Sequence, residues 1–130
     1  MQNKSRNLTA VSPAVSPTVS ASKIIGEAVI NRQKENLGKV IELVFDTEQG
    51  SMVYVVLSFG GFMGMGHKLF AIPWEAFELS PTEYNLILNV NKEKLKNAPG
   101  FDPENWPDFA DRSWGDRVHS YYGYHARWNT

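Results

Sequence analysis

The middle of this chain predicts a mainly β fold, arranged as a sandwich or a small barrel, and three observations carry that reading. Ile41, Leu43 and Phe45 recur at period two, with Glu42 and Asp46 on the other side. Residues 52–59 (MVYVVLSF) are rich in β-branched and aromatic side chains. Short apolar runs separated by turn residues then repeat as far as residue 90. Closure into a barrel is preferred because it removes exposed strand edges.

Taken in order, residues 27–31 (EAVIN) and 38–46 (GKVIELVFD) predict the first two strands. Thr47-Glu48-Gln49-Gly50 forms a short loop, with glycine where positive φ is often needed, and 52–59 returns antiparallel. Residues 69–72 (LFAI) predict a fourth strand, stopped by Pro73, and 77–79 a fifth. A turn at Pro81-Thr82-Glu83 leads into a sixth strand at 84–90 (YNLILNV), with Leu86, Leu88 and Val90 on one face. Residues 92–96 make a polar helical turn that ends before Pro99-Gly100. Residues 113–122 predict a short helix capped by Ser113 or Asp111 and stopped by Gly123. Trp114, Val118 and Tyr121 (or Tyr122) share one face of it, and its own β domain or another chain must cover that face.

Three zones follow. Residues 1–22 hold no aromatic and no acidic residue and carry Ser-Pro twice, at Ser12-Pro13 and Ser16-Pro17. Such a segment buries too little apolar surface to offset its ordering entropy, so it is expected to be a disordered tail. Residues 23–98 form the β domain. Residues 99–130 form an aromatic-rich extension with half of the 16 aromatic side chains. Of the 130 residues, 42% are apolar and 21% charged, and the formal net charge is -1, so no global field draws nucleic acid or an anionic membrane. There is no cysteine, which excludes disulfides, thiolate nucleophiles and Cys-ligated metals. No run approaches the length of a membrane span and no apolar h-region follows Lys4 and Arg6, so the expected location is cytoplasmic.

The stretches GEAVIN (26–31), NLGKVI (36–41), FDTEQG (45–50) and VYVVLS (53–58), followed by GGFMGMGHKLFAIPWEAFEL (60–79), together resemble the PRC-barrel domain. That domain is shared by the photosynthetic reaction centre H subunit and the C-terminal half of RimM, and the last stretch is similar to stand-alone bacterial members. The resemblance implies a small, strongly bent antiparallel β-barrel of about six strands, with no shared catalytic residues and a role in assembly or interaction. The aromatic extension lies outside the resemblance.

The remaining motifs carry little chemistry. The glycines of the 60–67 loop precede a strand, and their spacing fits neither phosphate-binding signature. Phe62, Met63 and Met65 on that loop either cap the β domain or form a knob for a protein partner. His119 and His125 are six apart, unlike a helical metal pair, and Asp102, Glu104, Asp108 and Asp111 lie in a solvated acidic stretch. The cluster 121–128 lacks the basic track of a nucleic-acid groove.

The expectation is therefore a non-enzymatic interaction module without metal or cofactor. It self-associates as a homodimer or docks on a larger protein, through Phe62, Met63, Met65, Trp114, Tyr121, Tyr122 and Trp128. The competing reading is a ligand-binding or enzymatic barrel that uses the 60–67 loop with His67 or His119.

Overall fold

A computed structural model describes residues 18–60, 67–80 and 85–126. The expected N-terminal tail lies mostly outside these residues, as do the turn at 81–83 and most of the glycine loop. A short helix α1 (Ala21–Ile24) leads into β1 (Ala28–Ile30), β2 (Asn36–Asp46), β3 (Ser51–Gly60) and β4 (His67–Pro73). A 3-10 turn at Trp74–Ala76 passes to β5 (Phe77–Leu79), followed by β6 (Leu86–Leu88), α2 (Lys92–Lys96) and α3 (Arg112–Tyr121).

The β2–β3 hairpin forms where alternation and turn chemistry place it. Asp46 accepts the Glu48 and Gln49 amides at 2.9 and 3.2 Å, and Gly50 takes φ +67° while its amide donates to the Asp46 carbonyl. The period of β2 is interrupted, however. Register shifts fall between Val40 and Glu42 and between Val44 and Phe45. The expectation that Ile41, Leu43 and Phe45 share a face is thereby corrected. Leu43 packs on one side, Ile41 and Val44 pack on the other, and Phe45 stands exposed.

The closed, strongly bent antiparallel barrel is also corrected. The six strands form one open sheet in the order β4-β3-β2-β1-β6-β5. The β1–β6 pair is parallel and the remaining pairs are antiparallel, so the sheet is mixed. The outer strands β4 and β5 follow one another in the chain through the 3-10 turn, yet no ladder joins them. Each edge is blunted differently. β5 has only three residues, and β4 takes an isolated bridge from Phe101.

Both faces of β3 and β4 are buried. Val55, Leu57, Phe70 and Ile72 enter the main core with Val29, Leu37, Val40, Leu86, Leu88 and Leu95. Their neighbours Tyr54, Val56, Leu69 and Ala71 form a second cluster on the opposite face with Val118 of α3. A strand buried on both faces reads as an unbroken apolar run, which is how residues 53–57 read.

Two local features fix the contacts of β2 and β1 with their neighbours. Gly38 takes φ +121° opposite Ser58, and a Cβ there would lie 2.3 Å from the Ser58 carbonyl oxygen, so only glycine fits. Asn31 is buried at the end of β1. Its side-chain oxygen accepts the Gln33 and Glu35 amides, and its Nδ2 donates to the Glu35 carboxylate at 2.7 Å and to the Val90 carbonyl at 3.1 Å. It therefore fixes the β1–β2 turn and ties it to the end of β6.

Asn31→Ala leaves several of these groups without partners and is expected to destabilise the fold by about 2–3 kcal/mol in urea unfolding. A loss under about 0.5 kcal/mol, the range of an ordinary surface change, contradicts this role.

Candidate interaction surface

The C-terminal extension is anchored before its helix begins. Gly100 passes so close to β4 that a Cβ would sit 2.9 Å from the Leu69 carbonyl oxygen and from the Phe70 ring. The next residue, Phe101, exchanges two backbone hydrogen bonds with Leu69, at 2.8 and 2.9 Å. The extension thus occupies the free edge of β4 before crossing the outer face of the sheet.

Asp111 caps α3, accepting the Ser113 and Trp114 amides at 3.0 and 3.4 Å, and Gly123 ends it with φ +87°. The capped helix lays Val118 on the second cluster, with Trp114 and Tyr122 partly buried beside it. Tyr121 packs against the main core, and its hydroxyl donates to the Lys94 carbonyl of α2. Lys94 also places its Nζ 5.0 Å from the Tyr121 ring centre, a cation–π contact. The face left open by the sequence lies on its own chain here, where Phe101, Phe109, Trp114, Val118 and Tyr122 pack on the second cluster.

A row of rings runs from surface to interior. Trp106 lies 5.2 Å from Phe101 and 6.1 Å from Phe109, and Phe109 lies 5.5 Å from Trp114. The row ends on Tyr54 of β3, whose ring centre is 5.9 Å from Phe109, 5.3 Å from Trp114 and 5.4 Å from His119. Most of these pairs are tilted or edge-on, the geometry that the ring quadrupole favours. His119 is buried, and its Nδ1–H donates to the Gly115 carbonyl at 2.8 Å, so it acts as a helix-packing histidine. His125 is exposed.

Tyr54 and Tyr122 each bury a hydroxyl that has no hydrogen-bond partner among the described residues. Burial raises the Tyr54 pKa to about 12, and the negative charges of Asp116 and Glu75 add to the rise. Burial also raises that of Tyr122, with Tyr121 contributing.

Of the residues expected to meet a partner, Trp114, Tyr121 and Tyr122 give part of their surface to their own chain, while Phe62, Met63, Met65 and Trp128 lie outside the described residues. The structure brings other apolar groups to the surface that sequence reasoning passed over. Ile25, Phe45 and Trp106 are 43%, 48% and 41% exposed. Among the described residues two grooves flank the sheet. One, of about 630 Å³, is lined by Ala28, Lys39, Ile41, Ser58, Phe59 and Lys92 among others. The other, of about 460 Å³, runs beside Phe45, Tyr54, Phe109 and Arg112.

The acidic stretch is used locally where it is used at all. Asp108 accepts the Ala110 amide, and Asp111 caps α3. Among the described residues no group of three or more His, Cys, Asp or Glu side chains is placed to hold a metal ion, and no helix is long and apolar enough to cross a membrane.

Residues 17–95 match the PRC-barrel domain. Among solved structures, a RimM chain from Pseudomonas aeruginosa, a candidate 16S ribosomal RNA processing protein, is similar at 11% identity and a TM-score of 0.40. The similarity covers 64% of this chain and 50% of that one, so the chain spans half the length of that relative. No curated protein matches.

The buried hydroxyls predict an alkaline weakness. Tyr54 stays protonated in the folded state up to about pH 12, whereas an unfolded tyrosine ionises near pH 10. The folded state then holds the extra proton, so the Tyr54 contribution is complete below about pH 10 and is lost as pH rises towards 12. Tyr54→Phe should leave stability at pH 7 unchanged or raise it by about 1 kcal/mol, and should flatten the fall above pH 10. Superimposable alkaline curves for the wild type and Tyr54→Phe contradict this account.

Proposed function

We propose, because this chain belongs to the PRC-barrel domain family, that it works as a non-enzymatic protein-interaction and assembly module. In this reading residues 23–98 make the family domain and residues 99–130 an extension that covers it, and the protein acts in the cytoplasm. The module self-associates or docks on a larger protein. Its contacts are Phe62, Met63 and Met65, the solvent-facing parts of Trp114, Tyr121 and Tyr122, and Trp128.

The observation that carries the reading is the apolar surface that stays outside although both faces of β3 and β4 are already covered. Phe45 and Trp106 face solvent, and the Trp106 ring is backed by Phe101 and Phe109 of its own chain. Aromatic side chains held in place before binding lose little entropy on contact, which suits them to anchor a partner. The enzymatic alternative gains no comparable support. His119 is occupied by the Gly115 carbonyl, and residues 61–66 of the glycine loop lie outside the described residues.

Sedimentation velocity over the micromolar to sub-millimolar range tests the proposal. The expected result is a mass above one chain that grows with concentration, and reduced association for the triple variant Phe62→Ser, Met63→Ser, Met65→Ser with unchanged circular dichroism. A single-chain mass throughout, together with no protein cross-linked to the chain in its native cell, overturns it.

A further inference from the structure

Trp106 is exposed on a turn that is fixed in place. Its Nε1–H donates to the Pro103 carbonyl at 2.7 Å, which satisfies the ring's only polar group and leaves an apolar edge outward. Phe101 and Phe109 hold the ring from behind. On the same turn Asp102 and Glu104 are exposed, and neither carboxylate has a cationic partner among the described residues. The feature is a preformed aromatic knob flanked by two negative charges.

The larger groove has the complementary character. Ala28, Ile41 and Phe59 give it apolar walls, and Lys39 and Lys92 are its charged lining residues. Both ammonium groups are exposed and unpaired among the described residues, and no carboxylate lines the groove. Trp106 does not line the groove of its own chain and is held instead on the row that ends at Tyr54.

We propose that Trp106 of one copy seats in this groove of a second copy, with Asp102 and Glu104 facing Lys39 and Lys92. The inference rests on the interaction reading above and names its partner. A tryptophan entering an apolar pocket supplies the affinity, and the rim charges select register and partner. Knob and groove are different surfaces of one chain, and the proposed contact is the head-to-tail one, in which each copy gives a knob to one neighbour and a groove to another. It leaves a free knob at one end of a pair and a free groove at the other, and therefore propagates head to tail.

Mixing two defective chains tests the geometry. A groove variant, Lys39→Glu with Lys92→Glu, changes exposed side chains, a knob variant, Trp106→Ala, also gives up the ring contacts with Phe101 and Phe109, and circular dichroism checks the folding of both. In sedimentation each alone should associate at least about tenfold more weakly than the wild type. An equimolar mixture should form dimers and nothing larger, because one intact knob meets one intact groove.

Variants that associate like the wild type, or a mixture that stays as single chains, overturn the head-to-tail contact while the interaction reading stands. A wild type that stays single but loses a different, acidic partner in the groove variant overturns the second copy as occupant and leaves the broader reading intact. A wild type that stays single with no partner at all removes both.

Discussion

The constraint on which the rest depends is that β3 and β4 are apolar on both faces. Val55, Leu57, Phe70 and Ile72 fill one side, and Tyr54, Val56, Leu69 and Ala71 face the other. The family domain supplies a core for the first set. The second would leave an apolar patch in water unless something covered it, and the price of that cover is the ordering entropy of some twenty residues. Gly100, Phe101 and α3 provide it in cis. Gly100 admits the close approach, the Phe101–Leu69 bridge sets the position, and the Asp111 cap starts the helix that delivers Val118.

This arrangement decides what the surface can do. With the outer face of β3 and β4 covered, the described aromatic side chains of the extension do not form one broad sticky patch. Much of that set turns inward on Tyr54, while Trp106 stays exposed. Among the described residues the flank beside β1 and β2 keeps its lysines and a concave shape. The molecule thus presents separate small features of opposite charge, which suits directional contact better than nonspecific aggregation.

Much of the fold was legible, for local reasons. The β2–β3 hairpin follows from alternation around Thr47–Gly50, and α3 follows from a capping aspartate and a stopping glycine. What was not legible depends on distance along the chain. The parallel pairing of β1 with β6 brings together Val29 and Leu86, and no local pattern marks it, so the closed antiparallel barrel was the wrong inference. The bulges in β2 broke a period that looked regular from Ile41 to Phe45. For the candidate surface, the apolar helix face of Trp114, Val118 and Tyr121 or Tyr122 was legible, whereas its cover by the same chain was not, because that depends on where Phe101 meets β4. Trp106 could not be singled out among eight C-terminal aromatics, because its exposure depends on where Phe101 is anchored.

Native-state hydrogen exchange at the Leu69 amide is the most direct test of the covered outer face. Leu69 lies in an edge strand, and its amide donates to the Phe101 carbonyl of the extension. If the extension is docked in cis, this amide exchanges as slowly as those of the β2–β3 ladder, and Gly100→Val accelerates it while the ladder amides of β3 stay protected. Exchange at the rate of an open strand edge in the wild type would contradict the account.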